Sequence, residues 1–231
     1  MRALQPLAQQ PRPQPADEPR FRALLGPDDW ARLPGPVRRR FSVKLAHAQS
    51  LVFVGEVAET RMTAAGRVFG FLGRLIGAPL PLAPGGRTAA VVMVTEDETI
   101  GGQLWTRAYS RPGAFPQVIH SAKRFTGPTG LEECVGGAVG MRLTLHIVQR
   151  ALVFRSAGYF LRLGRWRVPL PGFLMPGRIE VAHREERDGR FSFTLSVRHP
   201  LFGEIIRQAA FFTDPQPLSV ARVPTSTGRG S

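Results

Sequence analysis

Apolar and polar side chains alternate along much of this chain, and the alternation is clearest near its C-terminal end. After Arg190, phenylalanine, leucine or valine occupies every second position up to residue 197, and serine or threonine lies between them. A period of two residues is typical of a strand with one buried face. Asp188 and Gly189 come directly before this strand, and because both residue types tolerate positive φ angles, they predict a hairpin turn.

The same pattern predicts a long antiparallel sheet. Residues 51–62 form the first predicted strand, and further alternating runs follow from residue 88 to residue 212, with short turn-forming segments between them. About ten strands joined in this way form a meander, and a long twisted sheet tends to close because open edges invite pairing with other chains. We therefore predict a mainly β fold, in which an antiparallel meander of about ten strands forms a curved sheet or a lipocalin- or fatty-acid-binding-like barrel.

One segment, residues 64–77, breaks the two-residue period. Its apolar residues, Phe69 and Leu72 among them, recur at helical spacing, and four glycines share another face. This pattern predicts an amphipathic helix after the first long strand. Three roles are open to it: a lid over the barrel mouth, a plug whose glycines allow close packing, and peripheral contact with a membrane, for which two arginines provide little positive charge.

Proline-rich segments indicate where the chain leaves the sheet. Residues 78–84 and residues 168–171 both alternate proline with apolar residues, and proline has no backbone N–H to donate to a neighbouring strand. We expect both segments to border the opening of the barrel. Phe69 and Leu72 are therefore candidate lid residues, and Pro169 and Pro171 are candidate rim residues.

The ends of the chain differ in composition from its middle. Residues 1–20 are rich in proline and glutamine, so we predict a disordered N-terminus, a single β domain over residues 21–213 and a disordered tail over residues 214–231. A short N-terminal helix opens the domain, because its first apolar residues follow helical spacing. Residues 38–48 show no clear period and are expected to be extended.

Charge and cysteine content exclude several classes of protein. The formal net charge is +14, but arginine supplies nearly all of it, Lys44 and Lys123 being the only lysines. These arginines are scattered rather than gathered with aromatic residues on one face, which does not favour nucleic-acid binding. Cys134 is the only cysteine, so no internal disulfide can form. The N-terminus has no apolar signal-peptide core, and we expect a cytoplasmic location.

Motifs for catalysis and cofactor binding are absent. The chain contains no glycine-rich dinucleotide or nucleotide loop, no nucleophile elbow and no histidine pair at metal-ligand spacing. We therefore predict no cofactor and no metal, and the sequence does not favour an enzyme. An enzymatic function would need Glu56, Glu133, Tyr159, Glu180 and His183 to meet in one cavity, which spacing alone does not show.

Several polar and aromatic residues on the predicted strands are candidates for ligand binding. Arginine suits an anionic head group because its planar guanidinium pairs with two oxygens at once. Glu56 lies inside an apolar run, either as a polar anchor in a pocket or as a partner for an arginine. The full set of candidates is Glu56, Trp105, Arg107, Arg124, Arg142, Tyr159 and Glu180.

Five short motifs, in order, resemble a bacterial family catalogued as domain of unknown function 4166. They are W-T-R at residues 105–107, SAKRFTGPTGLEE at 121–133, FRSAGY at 154–159, V-P-L-P at 168–171 and H-P-L-F-G at 199–203. The resemblance spans roughly residues 21–214. It implies a domain that also occurs behind an NAD(P)-binding domain similar to saccharopine dehydrogenase, and hence a role beside a redox enzyme. It implies no catalytic residues.

Two hypotheses of different classes follow. The first is a non-catalytic β-barrel that binds an apolar or amphipathic anionic small molecule. The second is an accessory domain with a solid core that docks onto an NAD(P)-dependent enzyme. The interior distinguishes them, since a cavity of ~300 Å³ or more favours ligand binding.

Overall fold

A computed structural model of the chain describes residues 19–46, 49–75, 80, 87–136, 138–172 and 175–214. Residues 1–18 and 215–231, which make up most of the two predicted disordered ends, lie outside the described residues. The predicted division into three segments therefore stays a prediction. The first helix begins at Pro19, two residues before the predicted start of the domain.

Short helices precede the sheet, and one longer helix interrupts it. The helices are α1 (Pro19–Leu25), α2 (Pro27–Arg32), α3 (Gly35–Phe41) and α4 (Ala64–Leu75), with a 3₁₀ turn at Glu98–Ile100. The strands are β1 (Ser50–Met62), β2 (Thr88–Asp97), β3 (Gly102–Arg111), β4 (Ala114–Arg124), β5 (Glu132–Val135), β6 (Val139–Val148), β7 (Ala151–Leu163), β8 (Trp166–Leu170), β9 (Arg178–Glu185), β10 (Arg190–His199) and β11 (Gly203–Thr213).

The strands close into a barrel. Each of β1 to β7 pairs antiparallel with the next strand along the chain, β7 also pairs with β9, and β11 returns to pair with β1. Ten strands form this ring, and β8 extends the sheet from β7 outside it. The predicted mainly β fold, an antiparallel meander of about ten strands closed into a barrel, is confirmed.

Strand β7 belongs to both the ring and the outer extension. Its first part, from Leu152 to Arg155, pairs with β9, whereas Tyr159 and the residues after it pair with β8. Gly158 lies between the two parts and has a φ of 124°. Glycine is required there because residues with a Cβ rarely adopt this conformation.

Helices α1 to α3 cover one end of the barrel, which we call the closed end. Their aromatic and aliphatic side chains form a buried cluster with residues of β6 and β7. The expectation that residues 38–48 are extended was wrong for the start of that segment, since α3 includes residues 38–41. Val37 and Phe41, one helical turn apart, are both buried, and burial of this pair explains why the arginines between them are helical.

Helix α4 lies at the opposite end, which we call the open end. The hairpin turns β3–β4, β7–β8 and β10–β11 also lie at this end, as their pairing registers show. Gly66 of α4 faces the barrel so closely that a Cβ there would lie 2.3 Å from the carbonyl oxygen of Ile205 in β11. The helix therefore packs through its glycine face, and Val68, Phe71 and Leu72 are at least half exposed.

Candidate functional site

The barrel encloses a cavity of about 390 Å³. Strands from around the ring contribute its walls, and α4 contributes residues at the open end. Most lining side chains are apolar; they include Phe69, Leu72, Leu80, Val92, Ile119, Leu143, Phe154, Val181, Phe193 and Phe212. The volume lies within the range of small-molecule sites, which begins at ~300 Å³.

One polar cluster interrupts this apolar lining, on the inner face of β3, β4 and β5. It consists of Arg107, Ser121, Lys123 and Glu133, and it contains the three charged residues that line the cavity. The pairing register brings them together, because Ser121 lies opposite Trp105 and Lys123 lies opposite Glu133. Alternation then places the side chains of residues 107, 121, 123 and 133 on the same face.

Glu133 is the centre of the cluster. Its Oε1 accepts hydrogen bonds from the Ser121 hydroxyl at 2.6 Å and from Nη2 of Arg107 at 3.3 Å. Its Oε2 lies 2.9 Å from Nζ of Lys123. Arg107 also donates from Nη1 to the oxygen of Ser121 at 2.9 Å. The carboxylate is thus held by one hydroxyl and two cations.

The charges in this cluster do not cancel. Burial alone would raise the pKa of Glu133, but Lys123, Arg107 and Ser121 together lower it to about 2. Burial lowers the pKa of Lys123 to about 8, against the opposing attraction of Glu133. At neutral pH two cations therefore face one anion, which leaves one surplus positive charge. Because uncompensated charge is costly in an apolar interior, the cluster has the chemistry to pair with an anion.

The cluster lies toward the closed end of the cavity. Lys123 is the register partner of Gln103, which directly follows the first residue of β3. The Lys123 ammonium lies 4.4 Å from the ring centroid of Trp105 and 5.5 Å from that of Phe154, and such cation–π contacts partly replace lost hydration. Its side chain is only 5% exposed, whereas that of Arg107 is 23% exposed, so Arg107 is the more accessible cation.

Two tyrosines add polar groups nearer the open end. The Tyr159 hydroxyl donates to the carbonyl oxygen of Gly177 at 2.6 Å, and burial raises its pKa. Burial also raises the pKa of Tyr109, partly offset by Arg107. Both tyrosines are therefore neutral hydrogen-bonding groups at physiological pH.

The cavity contains five of the candidate residues from the sequence. Trp105, Arg107 and Tyr159 line its wall, and the lid candidates Phe69 and Leu72 line it from α4. Leu72 is also half exposed.

The other acidic and basic candidates lie outside the cavity. Glu56 pairs with Arg87 and Arg190, and Glu180 pairs with Arg155. These pairs agree with the interpretation of Glu56 as an arginine partner, although its side chain is only partly buried.

The remaining candidates also lie away from the cavity lining. Arg124 and Arg142 flank Glu132 in the pairing register, and because Glu133 points inward, all three lie on the outer face. Nε of Arg124 donates to the carbonyl oxygen of Ile100. The rim candidates Pro169 and Pro171 are exposed and belong to β8 and the residue after it, outside the ring. Of the other proline segment, only Leu80 is described, and it lines the cavity.

The residues that an enzymatic function would need do not meet. Glu133 and Tyr159 line the main cavity, whereas His183 lines a separate pocket of about 40 Å³ beneath α3. His183 is buried against Arg40, with 3.5 Å between Nε2 and the guanidinium, and burial followed by repulsion from Arg40 lowers its pKa to about 3. It is therefore a neutral core histidine.

Sequence reasoning missed Lys123 as a site residue. One signal was available, since Lys123 is one of two lysines in a chain that otherwise uses arginine. A lysine on the apolar face of a strand suggests a specific partner. The partner, Glu133, was visible only through the register of β4 and β5.

No helix in the described part of the chain is long and apolar enough to cross a bilayer. Among the same residues, no group of three or more histidine, cysteine, aspartate or glutamate side chains could hold a metal ion.

The fold and site define a closed antiparallel β-barrel that contains an apolar cavity, with a cationic cluster toward its closed end. The chain belongs to the family described as Domain of unknown function (DUF4166), whose model matches residues 33–212. This match confirms the resemblance seen in the sequence motifs and includes the whole ring of strands except the last residue of β11. A search of the curated proteins finds no match.

Proposed function

We propose that this protein is a non-catalytic binding module for a small amphipathic anion, with an apolar tail and a carboxylate-like head. The observation that carries the proposal is the surplus positive charge of Arg107, Lys123 and Glu133 inside an otherwise apolar cavity. A neutral apolar ligand would leave that charge without compensation, and a polar ligand would gain little from the apolar walls.

The size of the cavity limits the ligand. A volume of 390 Å³ lies near the lower end of the range for small-molecule sites, roughly 300–1,000 Å³. Decanoate, with roughly a dozen non-hydrogen atoms, therefore fits, whereas a two-chain phospholipid does not. Each methylene buried contributes about 0.8 kcal/mol, so the apolar tail of decanoate, roughly nine carbons long, supplies much of the binding free energy.

The position of the cluster sets the orientation of the ligand. The head group lies against Arg107, which is the accessible cation, with Lys123 beneath it. The tail extends past Phe193 and Leu195 toward Phe69 and Leu72 of α4, all of which line the cavity. The cavity also weighs against the second hypothesis, because an accessory domain with a solid core would not contain a partly charged cavity of this size.

Calorimetric titration with decanoate and with decanol tests the proposal. We expect decanoate to bind one-to-one and decanol to bind at least tenfold more weakly, because only the anion pairs with the surplus charge. Arg107→Gln leaves Lys123 and Glu133 as a neutral pair and should weaken decanoate binding about tenfold to a hundredfold, the effect of losing a charged hydrogen bond of ~1.5–3 kcal/mol.

Arg155→Gln is the matched control, since Arg155 pairs with Glu180 outside the cavity. It should bind decanoate like the unmodified protein. Equal affinity of the Arg107→Gln variant and the unmodified protein would contradict the proposed head-group site. Absence of binding by every chain length from hexanoate to tetradecanoate would contradict the proposed function itself.

A further inference from the structure

The open end of the barrel exposes an unusual concentration of apolar side chains. Nine large apolar residues among those described are at least half exposed, and all but Val54 lie at this end. They belong to α4 and to three separate hairpin turns. The eight are Val68, Phe71, Leu72, Phe115, Leu163, Trp166, Leu201 and Phe202.

The hairpin residues project farthest into solvent. Phe115, next to the β3–β4 turn, is 93% exposed, and Leu201, in the β10–β11 turn, is 77% exposed. Trp166, at the β7–β8 turn, is 64% exposed. Monomeric proteins rarely expose apolar groups in this density unless they contact another apolar phase or partner.

The orientation of α4 adds to this surface. An amphipathic helix at a barrel end would ordinarily bury its largest apolar residues. Here the glycine face packs on β11, as the close approach of Gly66 to Ile205 shows, and Phe71 and Val68 face solvent. The helix thus turns Val68 and Phe71 away from the protein core, whereas Phe69 and Leu72 line the cavity.

Arginines accompany these apolar residues. Arg67 and Arg74 are exposed on α4, and Arg111 and Arg165 are exposed at the β3–β4 and β7–β8 turns. None of the four forms an ion pair with a described carboxylate. The carboxylate of Glu204, also at this end, is already surrounded by Arg198 and Arg207. The surface is therefore apolar at its tips and positively charged between them.

We propose that the open end docks onto an anionic lipid bilayer. Separate projecting side chains around an opening suit a fluid acyl phase, which fills the space between them, better than the flat face of a protein partner. Aromatic side chains insert at the boundary between head groups and acyl chains, while arginines remain at the level of the anionic head groups. Docking in this position places the mouth of the cavity against the membrane, the usual source of amphipathic anions.

Vesicle co-sedimentation tests the proposal. Vesicles of phosphatidylcholine with phosphatidylglycerol should sediment the full-length protein, and vesicles of phosphatidylcholine alone should sediment at least tenfold less. Binding should also weaken as salt is raised. A protein that stays in the supernatant with both compositions overturns the proposal and leaves a protein partner as the occupant of this surface.

Matched variants locate the contact. The triple variant Phe71→Ser, Phe115→Ser, Trp166→Ser should lose at least tenfold in vesicle binding, given the apolar area withdrawn from the bilayer. The control triple variant Val54→Ser, Leu104→Ser, Val118→Ser alters apolar residues that are exposed on the side wall of the barrel and should bind normally. Equal binding by both triple variants overturns the proposal.

Charge is tested in the same way. Arg111→Gln with Arg165→Gln should weaken binding to the anionic vesicles about fivefold for each arginine. The control pair, Arg150→Gln with Arg187→Gln, alters exposed arginines in turns at the closed end and should have no effect. Equal losses from both pairs would show that only overall charge matters and would overturn the proposed orientation.

Failure of this proposal can be distinguished from failure of the proposed ligand site. None of the residues changed in these variants lines the cavity. Calorimetric titration with decanoate in the absence of vesicles should therefore give the same affinity for all of them. Loss of vesicle binding with unchanged decanoate binding supports a membrane contact that is separate from the ligand site.

Discussion

Replacing Glu133 with glutamine tests the energetic argument for the cavity. The substitution preserves the size of the side chain but removes the carboxylate that contacts Arg107, Ser121 and Lys123. Lys123, with a side chain 5% exposed, then remains buried without a counter-charge. Breaking a buried ion pair by removing one partner costs about 3–5 kcal/mol. In a domain of this size each kcal/mol shifts Tm by about 2–4 °C, so Tm should fall by roughly 6–20 °C.

Thermal unfolding followed by circular dichroism measures this change. Glu59→Gln is the matched control, because Glu59 pairs with Arg61 on the exposed surface, where such pairs contribute about 0–1 kcal/mol. The double variant Lys123→Met, Glu133→Leu removes both charges and should recover most of the lost stability. If Glu133→Gln lowers Tm no more than Glu59→Gln, the buried cluster does not carry the charge that we assign to it.

The same variant links stability to ligand binding. In Glu133→Gln the carboxylate of decanoate replaces the missing counter-charge, so decanoate should raise Tm more than it does for the unmodified protein at the same concentration. Decanol should give no such difference. A smaller rise with decanoate would contradict the proposed contact between the ligand head group and the cations. If the variant does not fold, the double variant decides the question, because it should fold and, since Arg107 keeps its charge, still bind decanoate more tightly than decanol.

Three further predictions concern pH and packing. Lys123 is protonated below its pKa of about 8, so decanoate affinity should fall as pH rises through 8, and calorimetry on Lys123→Met should show no such fall. The pKa of His183 is about 6.5 in the unfolded chain but about 3 in the folded protein. The free energy of unfolding, measured with urea, should therefore fall as pH drops below 6.5, by at most about 1.4 kcal/mol per pH unit. A His183→Phe variant whose free energy of unfolding falls just as steeply between pH 6.5 and 4.5 would refute this. Gly66→Ala should destabilise the protein by about 1–3 kcal/mol because its Cβ would lie 2.3 Å from the carbonyl oxygen of Ile205. If the variant is instead more stable by about 1 kcal/mol, the difference in helix propensity between alanine and glycine, then α4 is not packed as described.

The barrel itself was predictable because its signal is local. Two-residue alternation identifies each strand from its own sequence, and short turns such as that at Asp188 and Gly189 leave little choice but antiparallel neighbours. Helix α3 was missed because it lacks such a local signal. Its buried residues Val37 and Phe41 flank a run of arginines, and that run shows no hydrophobic period.

The site was less predictable because it depends on register. Glu133 and Lys123 are ten positions apart in the sequence, and only the pairing of β4 with β5 makes them neighbours. The candidates Arg124 and Arg142 lie outside the cavity because they share a strand face with Glu132, whereas Glu133 points to the opposite, inner face. A shift of one residue reverses every side chain of a strand, so composition alone could not select Arg107 over these two arginines.

The orientation of α4 was predictable only in part. The sequence left open a lid, a membrane contact and a plug whose glycines allow close packing, and in the structure the glycine face packs on the barrel, where Gly66 closely approaches β11. Packing distance thus determined the orientation, and the apolar stripe was left partly exposed.

We propose that the cavity binds an amphipathic anion with its head at the cationic cluster and its tail toward α4, and a crystal structure of the protein with ω-bromodecanoate would reveal this orientation. We expect a carboxylate within hydrogen-bonding distance of Arg107 and an anomalous bromine peak beside Phe69 and Leu72. A bromine peak beside Lys123 and Trp105, or no density for the ligand in the cavity at saturating concentration, would contradict it.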